Sequence, residues 1–196
     1  MTAVGEAAHS ARPHLGKNAI YAMARVIAAI ESYADELEAR PPSTPVGTGT
    51  MSVGLIEGGT GANVVPASCT ITVGRRLVPG ENPDIEYDRL VALMKEASTL
   101  PLEVESLAAP DLGAKGSAAF YVPADTPLIA ALAEAAGTSP TVAPFGTNAL
   151  RYSALTSQLA VFGPGSIDDA HEATERVSID DLVETSKVLA AWLDPH

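Results

Sequence analysis

The sequence is poor in several residue types, and each shortage excludes a class of protein. Cys69 is the only cysteine in 196 residues, so the chain forms no internal disulfide and no metal cage made of its own thiolates. Only 12 Lys and Arg residues stand against 24 Asp and Glu, and the resulting charge of −12 disfavours nucleic acids and anionic membranes as partners. No apolar run approaches the roughly 20 residues needed to span a bilayer. The first residues show neither a basic leader nor an apolar signal core, and we expect a cytoplasmic protein.

Hydrophobic residues make up 46% of the chain, enough for a buried core, and their spacing predicts the elements of the first half. Apolar residues recur every three or four positions from 18 to 37, which predicts an amphipathic helix. Residues 50–56 and 68–76 are predicted to be strands on either side of a glycine-rich turn. A second helix is predicted from about 82 to 98, and a further strand at 102–107. The predicted order is therefore α-β-β-α-β.

One more strand before the first helix completes a ferredoxin-like βαββαβ sandwich. Residues 2–5 are the only candidates for it, so we expect a first strand that is clipped at Met1. The second half is predicted to contain helices at 126–136, at 149–155 and from 179 onward, with short apolar strands at 141–143 and 159–162. Strands of that kind normally lie inside a wider parallel sheet that is covered on both faces. We therefore expect an incomplete α/β fragment after the first, α+β, unit.

The stretch GPGSIDDAHEATERVS, residues 163–178, places His171 among several acidic residues and close to a glycine-rich turn. Imidazole and carboxylate groups together suit Zn, Mn or Co, and neutral histidine is a common metal ligand. A single histidine does not make a metal site. The alternative is a solvated loop residue near a helix start, where acidic neighbours favour the helix dipole.

Two further stretches place polar side chains in loops between predicted elements. His9 follows the first strand and precedes the first helix, where a side chain can project out of the domain; an exposed histidine near a helix cap is the alternative. Asn63 lies at the turn between two strands, and Arg76 ends the second of them. The planar fork of arginine is suited to a carboxylate, although surface arginines are common. Phosphate loops, dinucleotide fingerprints and serine-nucleophile elbows are absent, and Cys69 lies mid-strand in a buried pattern, which argues against nucleophilic hydrolases.

Five motifs in one order resemble the metal-dependent amidohydrolases that include acetylornithine deacetylase, succinyl-diaminopimelate desuccinylase, aminoacylase and glutamate carboxypeptidase. The motifs are AAHSARPHLGKNAI, GGTGANVVP, RRLVPGE, FGTNA and VFGPGSIDDAHEATERVSIDDL, and the match covers nearly the whole chain. The resemblance implies an α/β catalytic domain with two metal ions, interrupted by a smaller α+β lid through which the enzyme dimerises. Residues 1–111 resemble the lid, and residues 112–196 resemble the C-terminal part of the catalytic domain.

The resemblance also implies roles for individual residues. His171 matches a histidine that ligates one of the two zinc ions, with cobalt or manganese as alternatives. His9 matches the lid histidine that reaches into the neighbouring subunit's site and steadies the oxyanion. Asn63 and Arg76 match lid positions that approach the substrate, Arg76 its carboxylate. The family's substrate contacts that are made mainly by backbone atoms correspond to Gly146, Thr147 and the turn Gly163-Pro164-Gly165.

The other metal ligands of the family and its general-base glutamate belong to the N-terminal half of the catalytic domain and have no match here. Gly74 replaces the usual aspartate before the arginines, which is expected to loosen the hold on Arg76, and Asn148 replaces the aspartate of the usual GTDA. The first hypothesis is the C-terminal portion of a di-zinc amidohydrolase of N-acyl amino acids or dipeptides, inactive without the missing N-terminal half. The alternative is a non-catalytic dimerisation or carboxylate-binding module derived from that family.

Overall fold

The structure is a computed structural model that describes residues 1–107, 115–143, 145–170 and 174–193. It divides into two compact units, Met1–Ala119 and Phe120–His196. The assignment of 1–111 to a lid and of 112–196 to a catalytic domain stays a prediction. The first unit contains β1 (Thr2–Val4), β2 (Ala8–His9), α1 (Ala19–Glu38), β3 (Thr50–Gly58), β4 (Val64–Val65), β5 (Ser68–Arg76), α2 (Pro83–Ala97) and β6 (Leu102–Glu103). The second contains α3 (Pro127–Ala136), α4 (Ala149–Tyr152) and α5 (Ile179–Leu193).

The main sheet of the first unit has the predicted mixed α+β arrangement. Its four strands lie in the order β3-β5-β1-β6, and all three ladders are antiparallel. The three-residue β1 lies between β5 and β6 and pairs with both, so that Thr2 is opposite Thr70 on one side and Glu103 on the other. A short strand therefore suffices at a central position, because both of its edges are hydrogen-bonded.

The core of this unit forms where α1 and α2 pack on the face of the sheet that carries Cys69 and Ile71. The side chain of Asn18 caps α1 by accepting a hydrogen bond from the Tyr21 amide at 3.1 Å, as its position before the apolar stripe favours. Seven α1 residues are buried, namely Ala19, Ala22, Met23, Val26, Ile30, Tyr33 and Leu37. Met23, Ile30 and Leu37 belong to the apolar stripe that predicts the helix. Of the other residues of that stripe, Ile27 and Ala34 are only partly buried and Ile20 is exposed.

The strand β3 is longer than predicted and contains a β-bulge. Val53 pairs with Val73 and Leu55 pairs with Thr72, so Gly54 is the extra residue. The bulge shifts the register, and Ile56 instead of Leu55 lies opposite the buried Ile71. Gly58 ends the strand at a close approach, since a Cβ atom there would lie 2.9 Å from the Sγ atom of Cys69.

A second, two-stranded sheet of β2 and β4 was not predicted from the sequence, because its strands have only two residues each. The strand expected at 102–107 is also shorter, ending at Glu103. Within the described ranges, no helix is long and apolar enough to cross a membrane.

In the second unit, α3 and α5 pack together, and each buries one apolar side chain, Leu132 and Val188. The strands predicted at 141–143 and 159–162 were wrong: both segments are irregular. A strand requires a hydrogen-bonded neighbour, and the described residues of this unit provide no strand for either segment to pair with. The helix predicted at 149–155 ends earlier, at Tyr152.

Candidate functional site

The structure brings two of the predicted site residues together at the small sheet of the first unit, His9 within β2 and Asn63 in the turn that precedes β4. His9 in β2 lies opposite Val64 in β4, and the amide of Ser10 donates a hydrogen bond to the Asn63 carbonyl oxygen at 2.9 Å. The His9 side chain is exposed. We call residues 5–18 the His9 arm, because this loop leaves β1, carries His9 and returns to the start of α1.

The base of the His9 arm is closed by reciprocal backbone hydrogen bonds. The Glu6 amide donates to the Lys17 carbonyl and the Lys17 amide donates to the Glu6 carbonyl, each at 2.9 Å. The arm is tied to the main fold at both ends, where the Gly5 amide donates to Ala67 at 2.8 Å and the Ala19 amide donates to Pro66 at 2.9 Å. His9 is thus held by paired backbone on both sides, although its side chain faces solvent.

The hydrogen bonding of His9 fixes which ring nitrogen can donate. The backbone amide of Ala11 donates to His9 Nδ1 at 3.1 Å. A neutral imidazole that accepts at Nδ1 carries its hydrogen on Nε2. The exposed side chain therefore presents an N–H donor at Nε2 to any group that approaches the arm.

Arg76 lies at the other end of the sheet from His9 and Asn63. Only two residues separate the end of β4 at residue 65 from the start of β5, and Arg76 is the last residue of β5. At about 3.3 Å per residue, the nine residues of β5 separate its ends by about 26 Å. Within one chain, the exposed Arg76 is therefore not part of the group formed by His9 and Asn63.

The neighbouring Arg75 belongs to a half-buried ion-pair cluster that the sequence reasoning missed. Its Nη2 atom lies 2.6 Å from Glu81 and 3.8 Å from Glu86, and its Nη1 atom donates to the Arg76 carbonyl. Tyr33 donates its hydroxyl to Glu86 at 3.2 Å. Strand alternation was the available signal, because Arg75 continues the series of the buried positions 69 and 71 and the partly buried position 73, whereas Arg76 does not.

In the second unit, Gly146 and Thr147 form the entry to α4. The Thr147 hydroxyl accepts a hydrogen bond from the Ala149 amide, and the Thr147 carbonyl accepts one from the Leu150 amide, both at 3.1 Å. A Cβ atom at Gly146 would lie 3.4 Å from Leu150 Cδ1, in ordinary van der Waals contact. Asn148 accepts from Arg151 at 2.7 Å.

The turn at Gly163-Pro164-Gly165 precedes the segment that contains His171. Gly165 has a φ of +83°, a conformation that favours glycine, whereas the space around Gly163 is open. An open depression of about 440 Å³ lies beside this turn, and its lining includes Gly165, Asp169, Arg176 and Asp181. His171 itself lies outside the described residues. Where the chain is described, no group of three or more His, Cys, Asp or Glu side chains could hold a metal ion.

The small α+β unit with its antiparallel sheet is the fold of a peptidase dimerisation domain. A family model with that description matches residues 1–99, about half of the chain, and the chain belongs to this family, that of the M20 peptidases. The family expected from the five motifs is confirmed. Acetylornithine deacetylase from Myxococcus xanthus is 33% identical over 193 residues, which cover 95% of this chain and 49% of that protein.

Two solved structures share the fold. An M20 family metallo-carboxypeptidase from Sulfolobus solfataricus matches with a TM-score of 0.69 and 16% identity, over 98% of this chain and 59% of the other. A dipeptidase from Saccharomyces cerevisiae matches with a TM-score of 0.68 and 16% identity, over 100% of this chain and 54% of the other. At these identities the likeness concerns the fold alone. The chain spans about half the length of the curated relatives it matches.

Proposed function

We propose that this chain acts as the lid and part of the catalytic domain of a metal-dependent amidohydrolase of N-acyl amino acids or small peptides. Family membership and the likeness to an acetylornithine deacetylase support the reaction class. The family resemblance calls for two divalent ions, zinc or else cobalt or manganese, with His171 as one ligand. The remaining ligands then come from a catalytic segment that this sequence does not contain.

The single observation that carries the proposal is the geometry of His9. Its ring accepts the Ala11 amide at Nδ1 and leaves an exposed N–H at Nε2. When an amide carbonyl is attacked, negative charge develops on its oxygen, and a pre-oriented donor stabilises that charge more than it stabilises the neutral substrate. We assign His9 this role in the site of the neighbouring subunit, with Asn63 beside it as a polar substrate contact.

A homodimer formed through the first unit would supply that neighbouring subunit. In the described part of the chain, β3 pairs only with β5, so its outer edge carries unpaired backbone groups. Leu55 and Ile56 on this edge strand are 70% and 60% exposed. Long apolar edge strands recruit other strands, and a second copy of this edge is the partner that symmetry favours.

We assign Arg76 and the glycine turns to substrate binding. The exposed guanidinium of Arg76 is suited to the carboxylate of an amino-acid product group, and its main chain is held by the Arg75 cluster. Gly146, Thr147, Gly163 and Gly165 would contribute backbone contacts from the second unit. Because β5 alone separates its ends by about 26 Å, Arg76 and His9 lie far apart within one chain, and the two residues would act on a substrate from different subunits or at different ends of it.

The test is a chimera in which this chain replaces the matching region of the Myxococcus xanthus acetylornithine deacetylase. Hydrolysis of acetylornithine, succinyl-diaminopimelate and simple acyl amino acids is measured for the chimera and for two variants. We expect His9→Ala to lower kcat by about a hundredfold to a thousandfold, the usual effect of losing one oxyanion donor, with metal content retained. His14→Ala is the matched control, because His14 is exposed in the adjacent 3-10 turn, Pro13–Leu15, and has no assigned role.

Equal turnover in the His9 and His14 variants would remove His9 from the mechanism. A chimera that folds and dimerises but hydrolyses none of these substrates would contradict the enzymatic proposal. That second result would favour the non-catalytic dimerisation or carboxylate-binding module.

A further inference from the structure

The His9 arm contains a glycine whose conformation does not require glycine. Gly16 follows the 3-10 turn Pro13–Leu15 and has φ −118° and ψ 176°, an extended conformation that any residue adopts. Its amide donates to the Pro13 carbonyl at 3.2 Å. The reason for glycine at this position must therefore lie in the space around it.

That space is filled from three directions. A Cβ atom built on Gly16 would lie 2.7 Å from the Glu6 carbonyl oxygen, 2.9 Å from Ala8 Cβ and 3.1 Å from Val65 Cγ1. Glu6 belongs to the closed base of the arm, Ala8 precedes His9 in β2, and Val65 lies in β4 opposite Ala8. Gly16 is thus the point where the returning half of the arm touches the small sheet that carries His9.

The size of the displacement that a methyl group would force follows from these distances. Non-bonded carbon atoms rest about 3.5–4.0 Å apart, so Ala8 Cβ would have to retreat from 2.9 Å by about 0.6–1.1 Å. The Glu6 carbonyl is held by the Lys17 amide at 2.9 Å, and Val65 is only 5% exposed. Ala8 directly precedes His9 in the two-residue β2, so a displacement of Ala8 moves His9 with it.

We propose that Gly16 is a positioning residue that sets the location of His9 through its contact with the β2–β4 sheet. The inference rests on the proposed role of His9 as an oxyanion donor for its effect on turnover, but the positioning itself can be tested without activity. A shift of about 1 Å in a catalytic group lowers turnover by up to about a hundredfold. Gly16 touches no substrate in this account and acts only through His9.

The first measurement uses the 196-residue chain itself, labelled with nitrogen-15. The His9 ring signals, identified by their loss in His9→Ala, are expected to show a protonated Nε2 and an unprotonated, hydrogen-bonded Nδ1. In Gly16→Ala this pattern is expected to collapse towards an average of the two tautomers, as the Ala11 bond is lost. Gly74→Ala is the matched control, because no atom lies within 4 Å of a Cβ built there. An unchanged His9 pattern in Gly16→Ala overturns the proposal.

The second measurement is a double-mutant cycle in the chimera. Gly16→Ala alone is expected to lower kcat by about tenfold to a hundredfold with KM and metal content retained. In the His9→Ala background the same change is expected to lower kcat by less than about twofold, because its effect is transmitted through His9. An equal loss in both backgrounds, or no loss in the first, overturns the positioning role. If His9→Ala has no effect but Gly16→Ala still alters the ring signals, the proposed function fails and the positioning stands.

Amide hydrogen exchange in the unsubstituted chain covers the case in which Gly16→Ala does not fold. The Ser10 and Lys17 amides, bonded to Asn63 and Glu6, are expected to exchange more slowly than the Gly47 amide, which is bonded to Thr44 within a local turn. Free exchange at Ser10 and Lys17 would mean that the arm is not held in place, and would overturn the proposal without any variant.

Discussion

Replacing Ile71 by alanine tests whether the first unit is stabilised by the apolar layer between its helices and sheet. Ile71 lies in the central part of β5, is 1% exposed and belongs to the same buried cluster as Met23 and Met94. The change removes three buried carbon groups, worth about 2.4 kcal/mol at about 0.8 kcal/mol each. A cavity term adds to this, so we expect a loss of about 3 kcal/mol in the free energy of unfolding.

Ile85→Ala is the matched control for the same chemical change. Ile85 lies in the first turn of α2 and is 58% exposed, so less than half of its surface is buried. The substitution therefore removes less buried apolar surface than Ile71→Ala does. Alanine also has the higher helix propensity, by a few tenths of a kcal/mol. We expect Ile85→Ala to cost less than about 1 kcal/mol.

The assay uses the single cysteine of the chain. Cys69 is 1% exposed in the core of the first unit, so its alkylation during a brief pulse reports opening of that unit across a urea series. Trp192, the only tryptophan, lies in α5 and reports the second unit by fluorescence. At a slope of about 1.5 kcal/mol per molar urea, Ile71→Ala should lower the Cys69 midpoint by about 2 M. Equal midpoint shifts for the two variants would refute the burial reasoning.

Two further predictions concern the thiol and the dimer. Burial raises the pKa of the Cys69 thiol above its ordinary value of 9.0, so the unfolded chain loses this proton first and stability falls as the pH rises past about 9. Cys69→Ala lacks the alkylated thiol, so both proteins are followed by far-ultraviolet circular dichroism; the variant should have a shallower decline in urea midpoint above that pH, and identical declines would contradict the assignment. Ile56→Lys, on the exposed edge of β3, should shift sedimentation from dimer towards monomer, whereas Ile85→Lys on α2 should not. Dissociation by both variants, or by neither, would mean that the dimer surface does not lie on β3.

The fold of the first unit could be predicted from its sequence because local signals and packing agree there. The stripe from Ala19 to Leu37 and the alternation of Cys69 and Ile71 each specify one buried face, and both faces are covered within the same unit. The bulge at Gly54 could not be predicted, since it depends on the register between two strands.

The strands predicted in the second half were wrong because an apolar pattern alone does not form a strand. Residues 141–143 and 159–162 have apolar sequences typical of buried strands, but a strand is defined by its partner. The pattern in a segment predicts the need for a neighbour and does not show that one is present. The described residues of the second unit offer that neighbour to neither segment.

The candidate site was only partly predictable from residue types and spacing. The motif around His9 predicted an exposed histidine, but its pairing beside Asn63 and the Ala11 bond to Nδ1 arise from a two-residue strand that has no periodicity to detect. Arg76 was selected as an arginine at a strand end that matches a substrate-contacting position of the family, and its separation from His9 follows from the length of β5. The Arg75 cluster depends on which side chain faces α2, which the alternation of β5 could have indicated.

Subunit complementation tests most directly whether His9 serves the site of a neighbouring subunit. Chimeras carrying His9→Ala or His171→Ala are each expected to be nearly inactive, for different reasons. Mixed in equal amounts and allowed to exchange, half of the dimers are mixed, and each has one site with an intact His171 and an intact partner His9. The mixture should then recover about one quarter of the unsubstituted activity. If His9 acted within its own subunit, no site would be complete, and a mixture that stays inactive would contradict the account.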